Sequence, residues 1–194
     1  MFIFIGYPEK GLLKGAFNIV SVIILIVAYI ALLSAVYCKD YKKILTLNTV
    51  SCLLAALYLA LNGAYVGGSV SALAGIASIC QLCMPMQQTR KNTLTRNTIA
   101  VLFTVLAVSL LYSRPSDILP CLAHFMNRVC EAQVNEQMVR LGISVSALLW
   151  ATYGLQNSLP LFALAEGLIG LGAISAFIFY AKKRQLAEIT IDQD

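Results

Sequence analysis

Charge is what this chain has least of. Only 12% of its 194 residues are Asp, Glu, Lys or Arg, about half the share found in soluble domains. So few charges cannot cover a water-facing surface, which excludes an ordinary soluble globule. Histidine occurs once and no HExxH pair exists, so the common histidine-based metal sites are excluded. GxSxG, Walker A and dinucleotide-binding glycine patterns are also missing, and with them the sequence support for hydrolase, nucleotide or NAD chemistry. No catalytic residue, cofactor or metal is assigned, and the chain reads as not an enzyme. A lipid-acting enzyme built on His124 and Asp117 ranks last. Seven residues on one helix separate them by about 10 Å, too far for a direct hydrogen bond.

Six cysteines are scattered along the chain. Cys80-Gln-Leu-Cys83 has CxxC spacing, but no second pair and no nearby histidine accompany it. Metal or redox work is therefore not indicated, and these residues read as small apolar filler.

Hydrophobic residues make up 59% of the chain, and the mean hydropathy is +0.80. Several apolar runs exceed 18 residues, enough to cross about 30 Å of hydrocarbon. Helix 1 is expected over 16–38, helix 2 over 44–64, helix 3 over 69–86 and helix 4 over 96–112. Helix 5 is expected over 116–133, helix 6 over 137–155 and helix 7 over 159–182. The first run is too long for a signal-peptide core and no small-residue cleavage site follows it, so it reads as a retained helix. Helix 5 is the least hydrophobic, and a hydropathy window passes over it easily. Tight turns are expected at Tyr65-Val66-Gly67-Gly68 and Gln156-Asn157-Ser158. The fold class is an all-α membrane protein with seven transmembrane helices.

The net charge is +5, but no basic helix with interleaved aromatics is present, so nucleic acid is not a partner. The cations lie in short loops instead. Lys10, Lys14 and Arg114 fall on the side of the N-terminus. Lys39, Lys42, Lys43, Arg90, Lys91, Arg96, Arg128, Arg140, Lys182, Lys183 and Arg184 fall on the other. The positive-inside rule then places the N-terminus outside and the C-terminus in the cytoplasm.

Offset by 92 residues, the two halves align weakly: Tyr58 meets Trp150, Asn62 meets Gly154, Ala74 meets Glu166 and Gly75 meets Gly167. Helices 1–3 then correspond to helices 5–7, with helix 4 as the odd linker that makes the two units parallel. The expected divisions are 1–88, linker 89–113, 114–184 and a frayed cytoplasmic tail 185–194.

Charged residues inside a membrane cost about 2.5–3.5 kcal/mol each at a helix centre, so those present need a reason. Glu166 lies about two turns inside helix 7, as a substrate contact or as the partner of an arginine. Asp117, Cys121, His124 and Arg128 share one face of helix 5. His124 suits a proton relay or a bond to a neighbouring helix. Asp117 and Arg128 suit an interior stripe, or a helix cap and an interfacial cation. Helix 2 carries Asn48, Ser51, Tyr58 and Asn62 near one face, and helix 6 carries Ser146, Trp150, Tyr153 and Asn157. These stripes fit two walls of one cavity, or interhelical hydrogen bonds and an interfacial belt.

Trp150-Ala-Thr-Tyr153-Gly154, Asn157-Ser158-Leu159-Pro160, Glu166-Gly167 and Tyr180 resemble the last two helices of SWEET and PQ-loop transporters. Asn62-Gly63, Ser116-Asp117-Ile118-Leu119-Pro120 and Trp150–Tyr153 resemble the bacterial inner-membrane family YgjV. These resemblances imply a SWEET-like 3+1+3 layout in the bacterial inner membrane. They imply alternating access to a small polar solute, bound by Glu166, His124, Trp150, Tyr153, Asn62, Tyr58 and Asp117. The chain departs from SWEET proteins in lacking a Pro-Gln pair in helices 1 and 5. It also carries Ala74 and Glu166 where those proteins place asparagine. The alternative is a receptor or assembly partner on the same scaffold. Gly- and Ala-rich helix faces allow a homodimer without requiring one. Green fluorescent protein fused to the C-terminus is expected to fluoresce and alkaline phosphatase fused there to stay inactive; the reverse pattern overturns the orientation.

Overall fold

The computed structural model describes residues 11–87 and 89–191, with side chains described from 19 to 87 and from 89 to 183. Lys10, the side chains of Lys14 and Arg184, and those of the expected tail 185–194 lie outside it. Among the described residues the chain is all-helical. It comprises α1 (Gly11–Tyr37), α2 (Tyr41–Leu61), α3 (Tyr65–Leu82), α4 (Arg90–Leu111), α5 (Ile118–Ala132), α6 (Glu136–Gln156) and α7 (Pro160–Ile191). A short 3-10 turn, Pro115–Asp117, precedes α5. Six helices are long and apolar enough to cross a membrane; α5 is not among them. Its 15 residues rise about 22 Å at ~1.5 Å each.

Helix ends explain where the observed elements depart from the expected ones. Asp40 starts α2 three residues early, because its carboxylate accepts the backbone N–H groups of Lys42 and Lys43 at 2.8 and 3.5 Å. Asn135 does the same for Gln137 and Met138 at 2.9 and 3.3 Å. Both are N-caps that satisfy otherwise unpaired donors. The turn expected at Tyr65–Gly68 is the first turn of α3. The actual turn is Asn62-Gly63-Ala64, where Gly63 takes φ +78°. Ala64 N–H returns to Leu59 C=O at 2.9 Å and Gly63 N–H to Ala60 C=O at 3.1 Å, the paired bonds of a Schellman C-cap. Thr89 caps α4 through Asn92 N–H at 3.2 Å, so α4 begins at Arg90, six residues earlier than expected. The tail expected to fray stays helical to Ile191. Gln185, Leu186, Ala187 and Glu188 in it are good helix formers, and neither Gly nor Pro interrupts the stretch.

The halves repeat at 95 residues, not 92. α2 and α6 span 41–61 and 136–156, α3 and α7 start at 65 and 160, and α1 and α5 end at 37 and 132. The Schellman cap of α2 recurs at the end of α6. Leu159 N–H bonds Gly154 C=O at 2.8 Å and Ser158 N–H bonds Leu155 C=O at 3.2 Å, with Ser158 at φ +57°. Asn62 and Asn157 each donate a side-chain N–H to the carbonyl four residues back, Tyr58 and Tyr153, at 2.8 and 2.9 Å. The 92-residue register fails because it rests on glycines, which α3 and α7 carry at several spacings. The caps, which stop the helices, carry the true one. Tyr58 therefore matches Tyr153, Asn62 matches Asn157 and Ser71 matches Glu166.

Sequential helices pack as neighbours within 1–3 and within 5–7, and the two groups meet at α1–α7 and α3–α5. α4 packs on α3 and α5, with Ala107, Val108 and Leu111 against Val66, Val70, Leu73 and Cys121. At the matching α1–α7 seam, Ile26, Leu161, Ala165 and Leu168, the counterparts of those four, line an apolar groove. One core cluster gathers Leu32, Val36, Ile44, Leu45, Val139 and Ile169 at the end of the bundle that holds Asp40 and Asn135. A second gathers Tyr58, Leu59, Tyr153, Leu159 and Phe162 at the other end.

α2 and α3 approach backbone to backbone at Gly68, where a Cβ would meet Ala56 O at 3.0 Å and Ala60 N at 3.3 Å. Gly167 in α7 has open space around it. Gly68→Ala is expected to destabilise by about 1–3 kcal/mol through overpacking, read as a lower melting temperature in detergent. Gly167→Ala is expected to leave it equal or slightly higher, since Ala favours helix over Gly.

Candidate functional site

Between the two core clusters lies a cavity of about 40 Å³. By volume it holds roughly three waters. Every helix except α4 contributes to its lining: Leu32; Asn48, Ser51, Cys52, Ala55 and Leu59; Ser71; Asn127; Ile143, Ser146 and Trp150; Phe162 and Glu166. Five pairs in that lining are matched at the 95-residue interval. They are Leu32 with Asn127, Asn48 with Ile143, Ser51 with Ser146, Ala55 with Trp150 and Ser71 with Glu166. The cavity thus sits where corresponding positions of the two halves face each other. Each pair except the serines joins two different chemistries, so a repeated scaffold encloses an asymmetric site.

Glu166 is buried, with 7% of its surface exposed. Tyr29 of α1 donates its hydroxyl to Glu166 Oε1 at 2.7 Å, so a tyrosine takes the place of the arginine considered from the sequence. Trp150 lines the cavity and meets Phe162 edge-on, with centroids 6.0 Å apart. Tyr58 stacks on Phe162 from outside the cavity at 5.9 Å. Tyr153 is buried, and its hydroxyl accepts Gly67 N–H at 3.0 Å, joining α6 to α3. These rings pack together at that end of the cavity.

The remaining site expectations fall elsewhere. Asn62 is an exposed C-cap at the end of α2. Asp117 is buried and accepts Ser113 N–H, Ser113 Oγ–H and Arg114 N–H through one oxygen at 3.2, 3.1 and 2.8 Å. It closes the turn before α5. His124 is buried at 1% exposure, and both ring nitrogens lack a hydrogen-bond partner. It lies one turn before Asn127, at the position matching Tyr29, and does not line the cavity. The expected stripe Asp117, Cys121, His124 and Arg128 does share the buried face of α5.

Residues 19–183 match the model of the Imp-YgjV family, described as a bacterial inner membrane protein. The chain belongs to this family. No curated protein and no solved structure matches it. In this Imp-YgjV chain a second polar cluster lies at the Asp40–Asn135 end. Arg128 and Glu131 of α5, both fully buried, pair at 2.6 Å. Glu131 also accepts Asn48 Nδ2 at 2.6 Å and Ser78 Oγ at 3.5 Å. Arg128 donates to Ser78 Oγ and to Ala74 C=O, the latter at 3.2 Å. Tyr41 donates to the Glu131 carbonyl at 2.7 Å. Arg96 reaches in from α4 to Tyr41 Oη and Gln81 Oε1, both at 3.5 Å. α2, α3, α4 and α5 are thereby tied together.

Arg140 ties α6 to the end of α1 through the carbonyls of Val36 and Cys38 at 2.8 and 2.5 Å. It also lies 4.3 Å from the centre of the Tyr180 ring of α7. Arg96, Arg128 and Arg140, counted above as loop cations, are thus interior residues. The sequence does carry a signal for Glu131, since it follows Arg128 by three residues and i,i+3 positions adjoin on a helix. Tyr29 and Phe162 sit inside apolar runs and carry no such signal.

Removing one partner of a buried ion pair leaves the other uncompensated, at about 3–5 kcal/mol. Glu131→Ala is expected to cost that much and to lower the melting temperature steeply. Arg128→Met combined with Glu131→Leu is expected to recover a large part of the loss. If the single and the double variant melt together, the pair is not what holds this end.

Proposed function

We propose that this protein is a SWEET-like membrane transporter that moves a small polar solute by alternating access through the cavity at Glu166. Helices α1–α3 and α5–α7 form two parallel three-helix units, and α4 is the linker that reverses the chain once more between them, a 3+1+3 plan. The observation that carries this reading is the cavity lining, drawn in matched positions from both units. Repeat transporters bind their substrates at such an interface near the midplane. A volume of about 40 Å³ is too small for a metabolite of sugar size, so the units would have to move apart to admit one. The Tyr58–Phe162 stack and the Tyr153–Gly67 bond form one gate; the Arg128–Glu131 cluster forms the other. Rocking of the units opens each in turn.

With α5 counted as a crossing, the termini lie on opposite sides. Removing the three interior arginines from the count leaves eight cations against three. The bias keeps its sign, which supports an external N-terminus. A receptor on the same scaffold has no need to open the cavity to both sides.

Cys52 lines the cavity and supplies a test that needs no known substrate. In a variant keeping Cys52 as the sole cysteine, membrane-impermeant methanethiosulfonates are expected to label it in right-side-out and in inverted vesicles. Labelling from neither face sinks the carrier reading, and labelling from one face favours a receptor. Once a substrate is identified, Glu166→Gln is expected to reduce its uptake at least tenfold.

A further inference from the structure

Resting on the carrier reading of this cavity, we infer that its solute is a small organic cation bearing an ammonium head. Asn127 Oδ1 in the lining is buried without a partner and asks for a donor. Ser71 Oγ and Ser146 Oγ commit their single protons to Cys52 C=O at 2.8 Å and Ile143 C=O at 3.1 Å, so these two hydroxyls offer the cavity only lone pairs. An ammonium group, with several N–H donors, meets such acceptors.

Charge gives the same answer. Glu166 is the one acidic side chain in the lining, and no Lys or Arg lines the cavity. The nearest guanidinium along α5, Arg128, is already paired with Glu131. An anion would enter a low-dielectric pocket with no counter-charge, a heavy desolvation cost. A neutral sugar would bring no charge to set against Glu166.

A metal ion fits poorly. Among the described residues no group of three or more His, Cys, Asp or Glu side chains forms a metal site. Two aromatic rings, Trp150 and Phe162, belong to the same lining as Glu166. Aromatic faces attract alkylated ammonium groups but cannot replace the six or more oxygens that a hard cation requires. The volume sets the size, since room for about three waters matches methylammonium or the head of a longer amine.

The test is the melting temperature of the purified full chain in detergent with methylammonium, tetramethylammonium, glucose or succinate at matched ionic strength. A ligand that binds the native state raises it by mass action. The expected result is a saturable rise with one or both ammonium salts, none with glucose or succinate, and loss of the rise in Glu166→Gln. That variant keeps an acceptor for Tyr29 and so is expected to fold. A rise with glucose or succinate and none with the ammonium salts overturns the inference, as does a rise that survives Glu166→Gln. Absence of any rise also overturns it. Cys52 labelling keeps the two claims separate: labelling from both faces without an ammonium response rejects the substrate class and leaves the carrier standing.

Discussion

A carboxylate and a guanidinium held together inside the bundle set the terms for the helices around them. Neither Arg128 nor Glu131 reaches water, and hydrocarbon offers no substitute partner. Each must be met by protein atoms, so Asn48, Ser78 and the carbonyl of Ala74 converge on them, and Tyr41 bonds the Glu131 backbone carbonyl beside them. The convergence dictates which faces of α2 and α3 turn toward α5. It also draws Arg96 of α4 inward, since its guanidinium reaches Tyr41 and Gln81 in the same cluster. A helix too short to cross alone, α5, becomes the best-anchored element because its polar face has the most partners to satisfy.

The opposite end is closed by different physics. Stacked and edge-on rings, together with one hydroxyl-to-amide bond, join α2, α3, α6 and α7 there. Aromatic contacts of this kind contribute about 0.5–1.5 kcal/mol each beyond the area they bury, so this end is held by several modest contacts where the other is held by one buried charge pair. The 95-residue interval gives α2 and α6 the same length and matching caps at both ends, while the cavity pairs Ser71 with Glu166 and Ala55 with Trp150. A symmetric frame suits rocking, and unlike residues in equivalent seats suit recognition.

Much of this was legible from residues alone. The scarcity of charge marked the membrane, and the apolar runs marked all seven helices, α5 as the weakest. The Gln156–Ser158 turn marked a helix end that the structure keeps. Glu166 stood out because a carboxylate in an apolar run requires explanation. The repeat was visible but misregistered, because glycine spacing is degenerate, whereas Asn62 and Asn157 cap their helices through the same local bonds. Asn62 and Asp117 read as cavity residues from their polarity, yet both complete backbone hydrogen bonds at helix ends. A single sequence does not separate those roles, since Asn and Asp suit either.

What the sequence by itself determined is local or bulk. Hydropathy places the chain in a bilayer, and capping residues stop the helices, because these effects act within about four residues or sum over a segment. Only the tertiary structure decided that Glu166 meets Tyr29, that Glu131 meets Asn48 and Ser78, and that His124 meets no polar partner. Those outcomes depend on how remote helices are rotated against one another. That rotation is set by packing all faces and pairing most buried polar groups at once, a condition that no single helix carries in its own periodicity.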